Sequence, residues 1–188
     1  MINISKPLFT LLCCGIIASC GKPPVGPPTV QPNLLMVTFD TLRADHLGAY
    51  GSEAGLTPNF DALAAQSVMF ENAYAVSSTT GPSHLTMFSG LYPNEHGVLK
   101  NAVEVSDDVV TISEHLRDNG YNTAAFVSSY VLTAQFGLSQ GFDEFDEDFN
   151  LKRRRSGSYT IEAASDWIAG QPNDKPWCVW VHLMDPHK

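Results

Sequence analysis

From Asn33 onward, continuous apolar runs of strand length alternate with stretches whose apolar residues recur every three or four positions. Residues 34–39, Leu-Leu-Met-Val-Thr-Phe, show no period-two alternation, which predicts a strand covered on both faces of a parallel sheet. Thr57-Pro58 then pairs a cap residue with a proline at the first helical position, and Phe60, Leu63 and Ala64 supply the apolar stripe. A short strand is expected over residues 68–74, and a second helix over residues 82–88, stopped by Gly90. Residues 111–119 read as a helix with Ile112, His115 and Leu116 on one face and Gly120 as its C-terminal stop.

A strand over residues 121–127 follows, then a helix over 159–169 with Ile161, Ala164, Trp167 and Ile168 at helical spacing. Residues 176–184 form a final expected strand, running into Asp185-Pro186-His187-Lys188. The alternation predicts an α/β fold, doubly wound around a mostly parallel sheet. Polar residues that end a strand mark the carboxyl edge, where such folds place their sites. No helix follows to cover this last strand, so the domain is expected to be incomplete at its C-terminus.

The ends and composition narrow the picture. Residues 1–19 read as a signal peptide, with a basic Lys6 and an apolar stretch over residues 8–17 too short to span a bilayer. Ile17-Ala18-Ser19-Cys20 resembles a bacterial lipoprotein cleavage box, which implies lipid on Cys20. An ordinary secretory signal is the alternative. Residues 20–32 are rich in Pro and Gly and form a tether, leaving residues 33–188 as the domain. The expected location is therefore the bacterial cell envelope, lipid-anchored and facing the periplasm or exterior.

A net charge of −9 argues against nucleic acid as a partner. The one basic run, residues 152–155, follows an acidic block over residues 143–148, a pairing expected of a solvated surface loop. That block lacks the glycine and terminal glutamate of a calcium loop. Cys178 is left without an internal disulfide partner and reads as a small buried hydrophobe.

Candidate chemistry gathers at two places. Asp40, at the end of the first strand, is either a ligand for a divalent cation or a cap for the turn that follows. Thr80 lies at the start of the second helix, either as an N-cap or as a hydroxyl that a metal ion activates for attack. His84 faces the same anion or solvent. His96 reads as a turn residue packed under the site, and His182 as core. His187, beyond the last strand, is placed to donate to an ester oxygen or leaving group.

These residues carry a resemblance. The run from Asn33 through Asp40-Thr-Leu-Arg-Ala-Asp-His-Leu-Gly-Ala-Tyr-Gly51 resembles the amino-terminal motif of the sulfatase family in the alkaline phosphatase superfamily. Thr57-Pro-Asn-Phe-Asp, Pro82-Ser-His, Ser89-Gly-Leu-Tyr-Pro-Asn-Glu-His-Gly97, Gly141-Phe-Asp and Asp185-Pro-His187 continue it in family order. The resemblance implies metal-dependent hydrolysis of sulfate or phosphate esters, with calcium, zinc or manganese held in part by Asp40 and Thr80. It also implies catalytic roles for Thr80, His84 and His187.

Three departures qualify this. Thr80-Gly-Pro-Ser-His84 stands where sulfatases carry Cys/Ser-x-Pro-x-Arg, whose Cys or Ser becomes formylglycine. Oxidised threonine would give a ketone rather than an aldehyde. An Asp-Asp metal pair is here Asp40-Thr41, and a Gly-Lys-Trp-His stretch is here Ser128-Ser129-Tyr130-Val131. Alternatives are a phosphoryl transferase or phosphodiesterase of envelope lipids or glycans, with a threonine nucleophile, and a non-catalytic lipoprotein that keeps the fold.

Overall fold

A computed structural model describes residues 31–149 and 154–187. The expected signal over residues 1–19, the lipid site at Cys20 and the tether up to residue 30 lie outside the described residues, as do Lys152 and Arg153. Four parallel strands form one sheet in the order β1-β4-β2-β3: β1 (Leu34–Phe39), β2 (Asn122–Val127), β3 (Glu144–Asp146) and β4 (Trp177–Leu183). The last strand is thus inserted between the first two. Parallel neighbours need crossovers, and α-helices of the intervening chain supply them except between β2 and β3, which two 3-10 turns connect. The helices are α1 (Pro58–Ala64), α2 (Thr80–Ser89), α3 (Pro93–His96), α4 (Ile112–Asp118) and α5 (Gly157–Ala169). None of the helices among the described residues is long and apolar enough to cross a membrane.

The central strand β4 shows why both faces of the sheet are apolar. Val179, Val181 and Leu183 point to one side, where Ala124, Phe126 and the α5 residue Ala164 complete a core. Trp180 points to the other, against Ala125, Val127 and the α2 residues Leu85 and Phe88. Phe88 meets Trp180 edge to face at 4.7 Å. Helices on both faces bear out the expected α/β architecture with a parallel sheet.

Several local expectations need correction. The first strand is an edge strand, so Leu35 is 57% and Val37 42% exposed rather than covered on both faces. Residues 68–74 form no strand, and Val68 and Tyr74 stand in solvent. Helix α2 begins at Thr80, two residues earlier than expected, and ends at Gly90 with φ +71°. Helix α4 exposes Ile112 and buries Ser113 and its cap Thr111 instead. Their hydroxyls reach the Gln140 carbonyl, with Ser113 Oγ donating at 2.8 Å.

Among the described residues, the acidic block and Arg155 do not form a solvated loop either. Glu144–Asp146 is β3, and Arg155 closes on Asp146 at 2.9 Å with its side chain mostly buried. Cys178 is half-buried and free, and burial pushes its thiol up.

Candidate active site

The sheet order brings the carboxyl ends of β1 and β4 side by side. Asp40 continues the ladder by one bond, its N–H donating to the Leu183 carbonyl at 2.8 Å. The chain then turns sharply, with Thr41 held at φ +58°, a conformation β-branched residues rarely adopt. Asp40 is thereby fixed at the carboxyl edge, and its side chain is buried.

Thr80 is the first residue of α2, with Thr79 as the N-cap. Its hydroxyl does not cap the helix. Thr80 Oγ1 instead donates to Asp40 Oδ2 at 3.0 Å, across forty residues of sequence. Neither residue therefore fits its plain capping alternative. The neighbouring Gly81 N–H donates to Asn101 Oδ1 at 2.7 Å, which satisfies one of the free amides at the helix start. Asp40 and Thr80 line a cavity of about 490 Å³ together with Thr41, Ser77, Ser83 and His84.

His84 lies behind the site, facing neither solvent nor an anion with its ring nitrogens. It is 6% exposed, with Nδ1 2.8 Å from the Thr80 carbonyl and Nε2 3.2 Å from Thr38 Oγ1. A carbonyl only accepts, so Nδ1 carries the hydrogen. Burial lowers the imidazole pKa to about 4, which keeps the ring neutral and makes Nε2 an acceptor for the Thr38 hydroxyl. Thr38 Oγ1 in turn accepts from Trp180 Nε1 at 3.0 Å. A directed chain thus runs Trp180 to Thr38 to His84 to the Thr80 carbonyl.

His182 is the residue that sequence reasoning assigned to the core and thereby missed. It is fully buried, yet its Nε2 lies 3.5 Å from Asp40 Oδ2 and neither ring nitrogen has a hydrogen-bond partner among the described residues. Burial pushes the Asp40 carboxyl up, but the contacts with His182 and Thr80 outweigh it and leave it below its ordinary value. His96 is buried under α2 as expected, with Nε2 3.2 Å from Thr86 Oγ1.

His187 sits apart from this cluster. It lines a second cavity, of about 720 Å³, with Ser129, Tyr130, Arg154 and Asp185. The structure therefore joins Asp40, Thr80 and His84 around one cavity and places His187 at another.

Asp40 and Thr80 offer carboxylate and hydroxyl oxygens of the kind a hard cation takes. No group of three or more His, Cys, Asp or Glu side chains able to hold a metal occurs among the described residues. This donor set alone does not fit a divalent ion, and no chemical step here is routed through one.

A buried carboxylate thus orients a hydroxyl at the carboxyl edge of a parallel sheet, where α/β folds place their sites. The sulfatase pattern matches residues 32–188, and the chain belongs to the sulfatase family. It is 26% identical to an N-acetylglucosamine-6-O-sulfatase of Bacteroides thetaiotaomicron, over 92% of this chain and 33% of that protein. A choline-sulfatase of Rhizobium meliloti is 32% identical over 85% of this chain and 39% of its own length.

Among solved structures, BT4656 in complex with its substrate D-glucosamine-2-N,6-O-disulfate superposes with a TM-score of 0.74 at 23% identity, covering 84% of this chain and 35% of that one. The phosphonate monoester hydrolase of Agrobacterium radiobacter gives 0.71 at 21% identity, covering 84% and 42%. At such identities the likeness shows the fold. The chain spans about a third of the length of the curated relatives it matches.

Proposed function

We propose that this chain carries the nucleophile half of a hydrolase for sulfate or phosphate esters, with Thr80 Oγ1 as the attacking atom. The observation that carries the reading is the 3.0 Å bond from Thr80 Oγ1 to Asp40 Oδ2 inside a cavity at the carboxyl edge. Asp40, held as the carboxylate, fixes the hydroxyl hydrogen and turns the oxygen lone pairs away from itself. Below, the His84 bond to the Thr80 carbonyl fixes the first turn of α2.

In the first step the bond from Thr80 Oγ1 to sulfur or phosphorus forms and the ester bond to the departing alcohol breaks. The hydroxyl proton leaves toward Asp40 and ends on the departing alcohol. Water then attacks the Thr80 ester, releases sulfate or phosphate, and returns a proton to Oγ1. An acceptor alcohol in place of water makes the same intermediate a transfer reaction. The sulfatase relatives support sulfate esters, and the threonine, which cannot give an aldehyde, supports direct attack over formylglycine chemistry.

The divalent ion expected from the resemblance belongs to this proposal only with ligands beyond the described residues. A second reading, a non-catalytic lipoprotein that keeps the fold, is supported by Thr41 and Ser129, which stand where the resemblance implies a second metal-binding acid and an anion-gripping lysine. We further propose lipid attachment at Cys20 and a place in the cell envelope, supported by the small residues that precede it.

Turnover of an aryl sulfate and an aryl phosphodiester tests the catalytic reading. Thr80→Ala is expected to lower the rate by at least ~100-fold, and Thr80→Ser to retain it within about tenfold. An undiminished rate in Thr80→Ala contradicts the assignment.

A further inference from the structure

The second cavity has its own charge logic. It opens at the carboxyl ends of β2 and β4, and its lining includes Arg154, Arg155, Asp185 and His187. Arg155 is committed elsewhere, since Nη1 donates to Asp146 Oδ1 at 2.9 Å and Nε to Thr160 Oγ1 at 3.0 Å. Asp185 is committed too, both of its oxygens accepting from the Gly157 N–H at the start of α5, at 3.1 and 2.9 Å. Arg154 differs. Among the described residues its guanidinium has one hydrogen bond, from Nη1 to the His187 carbonyl at 3.3 Å.

Arg154 is not on a loose segment. It forms an antiparallel bridge with Ser129, and the next N–H, that of Arg155, donates to the Ser128 carbonyl at 3.3 Å. Arg154 and Arg155 are thus laid along the continuation of β2, beside the stretch Ser128-Ser129-Tyr130-Val131 that carries no cation of its own.

Register then places the two cavities. Thr38 and Val127 both pair with His182, from opposite sides of β4. Asp40 and Ser129 each lie two residues further on, so they stand at the same height two strand spacings apart, roughly 10 Å. A substrate the size of a substituted sugar spans that distance.

We propose that Arg154 binds a second anionic substituent, a sulfate or carboxylate, on the sugar-sized leaving group of the ester that reaches Thr80. The inference rests on the proposed ester chemistry for its orientation and adds a residue that selects the substrate. Guanidinium suits a sulfate or carboxylate because its planar donors match two acceptor oxygens at once.

Calorimetric titration tests it, with D-glucosamine-2-N,6-O-disulfate and D-glucosamine-6-O-sulfate as probes. The wild-type protein is expected to bind the disulfate more tightly. Arg154→Ala should weaken the disulfate by roughly tenfold or more and leave the monosulfate within about twofold. Arg154→Lys, which keeps the charge but not the fork, should fall between them. Wild-type protein that binds the two probes alike, or neither, overturns the proposal, as does Arg154→Ala with an intact preference. Binding needs no Thr80 oxygen, so the two readings fail separately. A preference absent from the wild type, or unchanged in Arg154→Ala, with Thr80-dependent turnover intact removes only the role of Arg154, and turnover that survives Thr80→Ala removes only the nucleophile.

Discussion

The site is held from below by buried groups bonded within the protein. His84 is buried as the neutral imidazole, with its pKa lowered from 6.5 to about 4. The unfolded chain therefore binds more protons between those two values. The stabilisation is complete above pH 6.5 and is lost as pH falls toward 4, with a loss on the order of 2 kcal/mol by pH about 5. Urea midpoints at several pH values check this, and His84→Gln should flatten the dependence in that window. Thr38→Val should cost about 1–3 kcal/mol, because it strands the Trp180 N–H and His84 Nε2 in the interior, and thermal melting reads that loss. At this scale Asp40 and Thr80 were legible because each carries a local signal, a strand end and a helix start. The role of His182 was not, since it depends on β4 lying beside β1, a pairing between residues more than 140 apart. The orientation of His84 followed from the same unseen register, through Thr38.

Elements with strong punctuation were read with boundaries close to those observed. Gly90 ends α2, and Thr57-Pro58 opens α1, whose Asp61 takes the Ala49 N–H at 2.7 Å and so ties two sequence motifs into one loop. Elements that depend on what covers them were misread. Residues 68–74 have strand-like composition yet pair with neither edge of the sheet. In α4 the buried face is polar, so apolar periodicity pointed to the wrong side, while the Thr111 and Ser113 hydroxyls find the Gln140 carbonyl. Gly141 follows directly, at φ +81°, and a Cβ there would collide with the Glu114 backbone. Gly141→Ala should therefore destabilise by about 2 kcal/mol or more, measured by chemical denaturation, and shift the α4 N-terminus in hydrogen exchange.

Across the whole molecule, the parallel α/β architecture was legible from alternation alone, whereas the strand order was not. That order leaves β1 at the rim, where Leu35, Val37, Phe60 and Leu63 line an apolar groove of about 580 Å³ between α1 and α5. An edge strand with such a face invites pairing with other chains. Val37→Lys is expected to lower self-association of the 188-residue chain in light scattering without lowering its melting temperature by more than a few degrees. At the other end, Cys20→Ala should move the protein from the membrane fraction to the soluble fraction. Peptide mass spectrometry after rapid acid quench most directly tests attack by the Thr80 oxygen. With an aryl sulfate or a bis-aryl phosphodiester as substrate, the peptide containing Thr80 should gain one sulfuryl or one aryl-phosphoryl group on Oγ1, and Asp40→Asn should lower its yield. Turnover with Thr80 never modified, at any quench time, would contradict the account.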